Sequence, residues 1–389
     1  MLKILHTSDW HLGNVLYGYD RIESEKNFLK QLADIVFEHK PDCMILSGDV
    51  YNLSSPSSTI QKVYTDAMLT IHQSCPNMII VVTAGNHDSP SKLEISSSLW
   101  SCFNVFVVGN IEKQNETVDY SKHIIEIKNG NELKGYVAAI PHFYSRYADN
   151  MFEGLEDYIK QINQNNLPVI LSCHLAVTNS EIRSKSLHVQ DMEFYPLEKL
   201  GETYSYIALG HIHFPQTLKT SNNKARYCGS PISVSFNEDY THSVSLVEID
   251  EEQTKITPIE IKDDMPLKTV PNQSIPFDDV FNYVNNHKDE LKDCFIRFNV
   301  KVKDYLPVNS KEKAIELCNS VGAYFCTFNI EREQQNNTSK DKEIITVEEL
   351  KQMTPVDIAT DYMEKKGVVL SDEFKQMIDY AMNYQVTED

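Results

Sequence analysis

Five apolar runs in this chain end in side chains that can hold a metal ion. "KILHTSD" opens into "DWH", which supplies Asp9 and His11, and "DCMILSGD" ends on Asp49. "NMIIVVTAGNHD" ends with Asn86, His87 and Asp88 in a row, "LPVILSCH" with His174, and "YSYIALGHIH" with His211 and His213. Asp9 and His11 stand two apart, as do His211 and His213, and in extended chain such pairs point the same way. Taken singly these residues say little. A strand-end aspartate is ordinarily a turn or cap, a lone histidine is ordinarily structural, and "GNHD" before Ser-Pro reads as punctuation or as a site. Their recurrence points to chemistry, because ligands of α/β sheets gather beyond the carboxyl ends of the strands.

So many oxygen and nitrogen donors exceed what a structural zinc takes. They suit two cations sharing a carboxylate and held roughly 3.5–4 Å apart, which clamp the attacking and leaving oxygens of a phosphoryl displacement. An imidazole-rich set favours Mn²⁺, Fe²⁺ or Zn²⁺ over Mg²⁺, which prefers oxygen and water.

The elements that must position these groups alternate. "KNFLKQLADIVFEHK" has helical spacing, with Phe28, Leu29, Leu32, Ile35, Val36 and Phe37 on one side, and "STIQKVYTDAMLTIHQSC" reads as a second helix. With the further strands "KGYVAAIPH" and "SVSLVEID", this punctuation over the first 250 residues predicts an α/β domain with sheets buried on both faces. The proline-containing stretch 263–279 reads as a boundary, followed by a strand–helix–strand unit in "CFIRFNVKV", "SKEKAIELCNSV" and "AYFCTFNIE". Residues 332–343 are polar and aperiodic, the pattern of a flexible linker. The tail from Ile344 carries two expected helices, "TVEELKQM" and "SDEFKQMIDYAMNYQ". The second gathers Phe374, Met377, Ile378 and Met382 on one face, suited to its own domain or to another protein.

At 389 residues the chain has room for a catalytic domain and smaller units. No run approaches a membrane span, and the apolar stretch at the N-terminus is too short for a signal peptide, so a cytoplasmic protein is expected. Eight scattered cysteines without a CxxC pair suggest reduced thiols. A net charge of −20 argues against a generally basic, nucleic-acid-coating surface. It leaves room for a nuclease whose bound cations and partner supply positive charge locally.

In chain order, "DWH", "GD", "GNHD", "CH" and "GHIH" follow the signature D-x-H, G-D, G-N-H-[DE], lone His and G-H-x-H, so the chain resembles the calcineurin-like metallophosphoesterases. Within them, "HTSDWHLG", "GNHDSP", "YIALGHIHFPQ" and "YCGSPISVSFNE" resemble the SbcD family of bacterial double-strand-break repair nucleases, closely over residues 1–250. The resemblance implies a sandwich of β-sheets flanked by helices over 1–262 and a small α+β capping domain for DNA-end recognition over 263–331. It also implies the linker 332–343 and a helical tail, 344–389, that docks on a coiled coil. One metal would take Asp9, His11, Asp49 and His213, and a second Asp49, Asn86, His174 and His211, with Asp49 as the bridge and Mn²⁺ as the expected ion. His87 would face the scissile phosphate, stabilising the transition state or protonating the leaving oxygen, with Asp88 orienting it. The implied activity is that of a 3′–5′ double-strand exonuclease and single-strand or hairpin endonuclease in repair, recombination and replication. The implied partners are DNA, the SMC-like ATPase SbcC and a second copy of the chain, in an SbcC2–SbcD2 heterotetramer of the bacterial cytoplasm.

Two segments depart from the family pattern. "GDVYN" has Asn52 where an aspartate is usual, and "SEIRSKSLHVQD" (180–191) matches the usual glycine-containing segment poorly. Protein Ser/Thr phosphatases carry G-N-H-E and an arginine after G-D, which this chain lacks. A small-molecule phosphodiesterase is the enzymatic rival, although it has no need of the C-terminal units. A scaffold that only holds an ATPase is opposed by the complete donor set and His87.

Overall fold

The computed structural model describes residues 1–114, 117–144, 150–183, 193–219 and 224–332, with a few more between 356 and 377. Met1–Glu333 forms one compact unit and Gln334–Asp389 another. The expected linker, apart from Arg332, and the helix "TVEELKQM" lie outside the described residues. Of the expected apolar face in the tail, Phe374 and Met377 are exposed, and Ile378 and Met382 lie outside.

Strand β1 (Leu2–Thr7), helix α1 (Ile22–His39), β2 (Cys43–Ser47), α2 (Ser58–Ser74), β3 (Ile79–Thr83) and β4 (Val105–Val108) build the first half. The second half comprises β5 (Ile124–Asn129), β6 (Glu132–Ile140), α3 (Met151–Ile162), β7 (Val169–His174), β8 (Tyr206–Gly210), β9 (Gln216–Thr217) and β10 (Ala225–Tyr227). The chain then returns to the first sheet through β11 (Ser243–Ile249) and β12 (Thr254–Glu260). One six-stranded sheet runs β12–β11–β1–β2–β3–β4 and the other β9–β10–β8–β7–β6–β5. Both are parallel at their centre, with antiparallel strands added at one margin of the first sheet and at both margins of the second.

The period-two alternation of the strands explains the layers. In β2, Cys43 and Ile45 face the core between the sheets, while Met44 and Leu46 face α1 and α2. In β3, Val81 lies in the inner core and Ile80 and Val82 in the outer one. The second sheet repeats the pattern, with Val137 and Ala139 inward and Ala138 and Ile140 against α3. These strands are apolar on both faces, as expected, because each sheet is covered on both sides. Phe37 is the exception to the α1 expectation and is 66% exposed. At about 100° per residue it lies half a turn round from Phe28. A polar seam crosses the inner core below the strand ends: His6 hydrogen-bonds Tyr206 Oη (2.8 Å) and Ser47 Oγ (3.1 Å), and Ser47 donates to Ala208 O (3.1 Å).

A third sheet holds β13 (Leu267–Pro276), β14 (Phe295–Val302) and β15 (Tyr324–Arg332), all parallel, connected through α4 (Phe277–Asn286) and α5 (Ser310–Ser320). It has its own core of Val280, Val284, Ile296, Phe298, Leu317 and Phe325. The stretch read as a boundary therefore contains a strand, β13, which Pro271 and Pro276 concealed. Proline is tolerated because β13 is an edge strand, and its ladder shifts register between Val270 and Ile275.

A buried ion pair joins this sheet to the sandwich. Arg21, at the start of α1, donates from Nη2 to Asp263 Oδ2 (2.7 Å) and from Nη1 to Ser233 O (2.6 Å), with its guanidinium 5.2 Å from the Phe295 ring. Burial pushes the Asp263 carboxyl up and Arg21 offsets only part of that, so the pair matters chiefly for what a single survivor would cost. Arg21→Met is expected to lose about 3–5 kcal/mol of stability by leaving Asp263 buried and unpaired. Adding Asp263→Asn should recover part of it, read as unfolding midpoints in urea. An equal loss in the single and double variants would contradict this account.

Candidate metal centre

The groups expected at strand ends lie in tight loops just beyond them, not in extended chain. Asp9, His11, Asp49 and His211 have φ of 53°, 46°, 51° and 99°, a region L-residues adopt at a cost and keep where the surroundings over-determine it. Alternation along a strand therefore does not aim the Asp9–His11 pair. The loops do: Asp9 N–H donates to Gly48 O and His11 N–H to Asp49 O, both at 3.0 Å. The glycines before Asp49, Asn86 and His211 allow close approach. A Cβ on Gly85 would collide with the Asp49 carboxylate, and one on Gly210 with Ser47 O.

The structure brings all seven expected donors together. His11 Nε2 lies 3.0 Å from His213 Nε2 and 3.6 Å from Asp49 Oδ2. On the other side of the same oxygen, His174 Nε2 lies 3.4 Å away. Asn86 Oδ1 is 3.0 Å from His174 Nε2 and 2.8 Å from His211 Nδ1. Asp9 Oδ1 approaches His213 Nε2 at 4.0 Å and accepts from the His211 N–H at 3.0 Å. Donor atoms of Asp9, His11 and His213, and of Asp9, Asp49 and His174, fall within 4.8 Å of one another.

The donor chemistry fits cations. His174 Nδ1 lies 2.8 Å from Ser47 O, and a carbonyl can only accept, so Nδ1 carries the proton and Nε2 is bare in the neutral ring. That lone pair then faces the oxygens of Asn86 and Asp49, an arrangement that a cation among them would satisfy. Burial opposes a proton there, yet Asp49 raises the His174 ring to about 9. His213 behaves alike: burial opposes its charge, but its Nδ1, 3.0 Å from Glu238 Oε1, is drawn to about 9. In His11 and His211 burial prevails and lowers both to about 3. A ring nitrogen anchored by carboxylate or carbonyl while the other faces inward is the usual outer support of metal-binding histidine.

His87 stands on the open side. Its N–H donates to Asp49 Oδ1 (2.8 Å), and its exposed ring meets His11 edge-on at 4.8 Å. Its Nδ1 donates to Asn52 O at 2.9 Å. The expectation that Asp88 orients His87 is therefore corrected. Both oxygens of the buried Asp88 are taken by backbone, accepting from Val50 N–H (3.1 Å), Tyr51 N–H (3.0 Å) and Gly85 N–H (2.8 Å). Asp88 ties the "GD" loop to the "GNHD" loop, and the residue aiming His87 is Asn52, through its main-chain carbonyl. An asparagine at position 52 leaves that contact intact.

Two neighbours escaped the sequence reading. Glu238, which fixes His213, carries no motif and is marked only as the acid ending "SFNE". His142, 6.2 Å from the His211 ring, lies two residues past β6 in "AIPH", a strand-end histidine like the others. The segment 184–191 lies outside the described residues.

The calcineurin-like phosphoesterase family model matches residues 2–215. The SbcD component of the nuclease SbcCD from Rhodobacter capsulatus is 27% identical over 273 residues, covering 64% of this chain and 66% of that protein. Its Bacillus subtilis counterpart is 27% identical over 266 residues with the same coverage, and the Escherichia coli K12 counterpart 28% over 265 residues, covering 63% and 65%. The matches thus span just under two thirds of these relatives' length. A dimetal phosphatase from Danio rerio aligns over 68% of this chain and 99% of its own at 10% identity, with a TM-score of 0.38 that is too low to bear on function. The α/β fold and hydrolase class expected from the sequence agree with the family match. Because that match spans more than half of the chain and contains every donor just described, the protein belongs to the calcineurin-like phosphoesterase family.

Proposed function

We propose that the chain is a divalent-metal-dependent DNA nuclease that works as the SbcD-type component of a complex with an SbcC ATPase. The observation that carries the chemistry is Asp49 Oδ2, set 3.6 Å from His11 Nε2 and 3.4 Å from His174 Nε2, between two clusters of donors. Asp9, His11, Asp49 and His213 would hold one ion and Asp49, Asn86, His174 and His211 the other, with Mn²⁺ favoured by the imidazoles. The ions, when bound, supply Lewis acidity to a phosphodiester and acidify a water at neutral pH.

The protein's own part is positional. Glu238 and Ser47 O hold His213 and His174 with Nε2 turned inward. Asn52 O holds His87 by Nδ1, so Nε2 is the atom offered to substrate. As an imidazolium it would donate to the phosphate or leaving oxygen, leaving a free 3′-hydroxyl product. The relatives share a name as components of a nuclease, SbcCD, which favours DNA over a small phosphodiester. In this reading residues 263–331 recognise DNA ends, the tail from Ile344 binds SbcC, and two copies pair within the assembly. SbcC would also provide DNA-binding surface that a chain of net charge −20 lacks. Among the described residues no helix is long and apolar enough to cross a membrane, and the bacterial cytoplasm is the proposed location.

Purified protein with Mn²⁺ is expected to cleave single-stranded or hairpin DNA. Hydrolysis of bis-p-nitrophenyl phosphate but never of DNA would remove the nuclease assignment in favour of the small-molecule rival. His87→Ala should retain two metals per chain by elemental analysis while turnover falls about 10²–10⁴-fold; loss of metal in that variant would make His87 a ligand instead. Deleting 344–389 should abolish co-purification with SbcC and spare basal nuclease activity, and unchanged co-purification would refute the tail's role.

A further inference from the structure

His142 stands beside the candidate metal centre, yet neither metal binding nor the proposed proton donation uses it. Its Nδ1 lies 3.1 Å from the main-chain oxygen of His174. Because a carbonyl can only accept, Nδ1 carries the proton, and Nε2 of the neutral ring keeps its lone pair. The ring lies 6.0 Å from that of His174 and stacks on His211 at 6.2 Å with 21° between planes. The same histidine lines a cleft of about 670 Å³, walled by Val118, Tyr120, Phe143 and Met151. That volume falls within the roughly 300–1,000 Å³ of small-molecule sites, which combine apolar walls with a few polar groups that fix orientation. His142 thus lines the cleft and also touches His174 and His211, two of the donor residues.

We propose that this cleft is a nucleoside subsite. It takes the sugar and base on one side of the scissile phosphodiester, with the base against Tyr120, Phe143 and Val118. His142 Nε2 accepts a hydrogen bond from an O–H or N–H of that nucleoside. Flat rings against aromatic and aliphatic walls are how proteins hold unpaired bases without demanding a sequence. His142 positions the substrate and forms no bond to it. The proposal rests on the phosphodiesterase reading of the metal centre.

The test compares three esters that release p-nitrophenolate from the Mn²⁺-loaded full chain: the p-nitrophenyl esters of thymidine 5′-monophosphate and thymidine 3′-monophosphate, and methyl p-nitrophenyl phosphate. One thymidine ester is expected to exceed the methyl ester roughly tenfold or more in kcat/KM, chiefly through KM, on the scale of base stacking. Val118→Trp, which fills the cleft, should bring that ratio towards one. His142→Ala should lower it several-fold, and His142→Gln, which restores an acceptor, should recover part of it. Turnover of the methyl ester without preference for either thymidine ester overturns the subsite and leaves the phosphodiesterase reading standing. A preference that Val118→Trp does not move overturns it equally. If none of the three esters is hydrolysed, the phosphodiesterase reading falls and the subsite with it.

Discussion

Asp49 is the residue around which the rest of the molecule is arranged. Its carboxylate is buried, and burial works to raise its pKa, yet His174 and His11 on either side hold it well below the usual range. One oxygen accepts from the His87 backbone, and the other lies between the two groups of imidazoles. An ionised carboxylate in such a place is tolerable only if opposite charge and donors surround it. That requirement accounts for the left-handed backbone at Asp9, His11, Asp49 and His211 and for the glycines that let three loops meet. The strain is local, and the sheets behind it hold it in place.

Support for the centre comes from far along the chain. Glu238 reaches His213 from the loop before β11, and its other oxygen accepts from Val234 N–H (3.0 Å). The third sheet grips the same loop: Arg297 on β14 donates to Phe236 O (3.0 Å) and Asn237 Oδ1 (3.3 Å). The small C-terminal sheet is therefore tied to a loop whose carboxylate holds a site histidine, as well as to α1 through Arg21 and Asp263. Packing of Leu16 and Phe236 with Phe295 and Cys326 completes that joint. Within Met1–Glu333 the three sheets behave as one compact unit.

The "GNHD" tetrapeptide shows how a motif divides into separate tasks. Asn86 turns its side-chain oxygen toward His174 and His211, and His87 lies on the open face. Asp88 turns away, binding Val50, Tyr51 and Gly85 amides so that two loops cannot separate. His87 leans on a carbonyl, Asn52 O, rather than on a carboxylate, which fixes the ring's tautomer without adding negative charge.

The alternation of β2 and β3, the period of α1 and the strand-end position of each donor were legible in the linear chain, because local backbone geometry imposes them. The recurrence of donors at five strand ends also sufficed to group them. Other features depended on distance in space. β13 was hidden because its prolines are acceptable only at a sheet edge, and edge status is a property of the assembled sheet. Phe37 met solvent because the helical turn carries it half a turn round from Phe28. Glu238 carries no local mark of its contact with His213, 25 residues away, and His142, a strand-end histidine like the others, meets His174 only in the folded chain. The acceptor of His87 is a main-chain atom, which no residue type encodes. Residue types and their order along the chain thus marked the candidate groups and the elements on which they sit. What each of them faces was left to the folded molecule, because orientation in a loop is set by hydrogen bonds that distant segments supply.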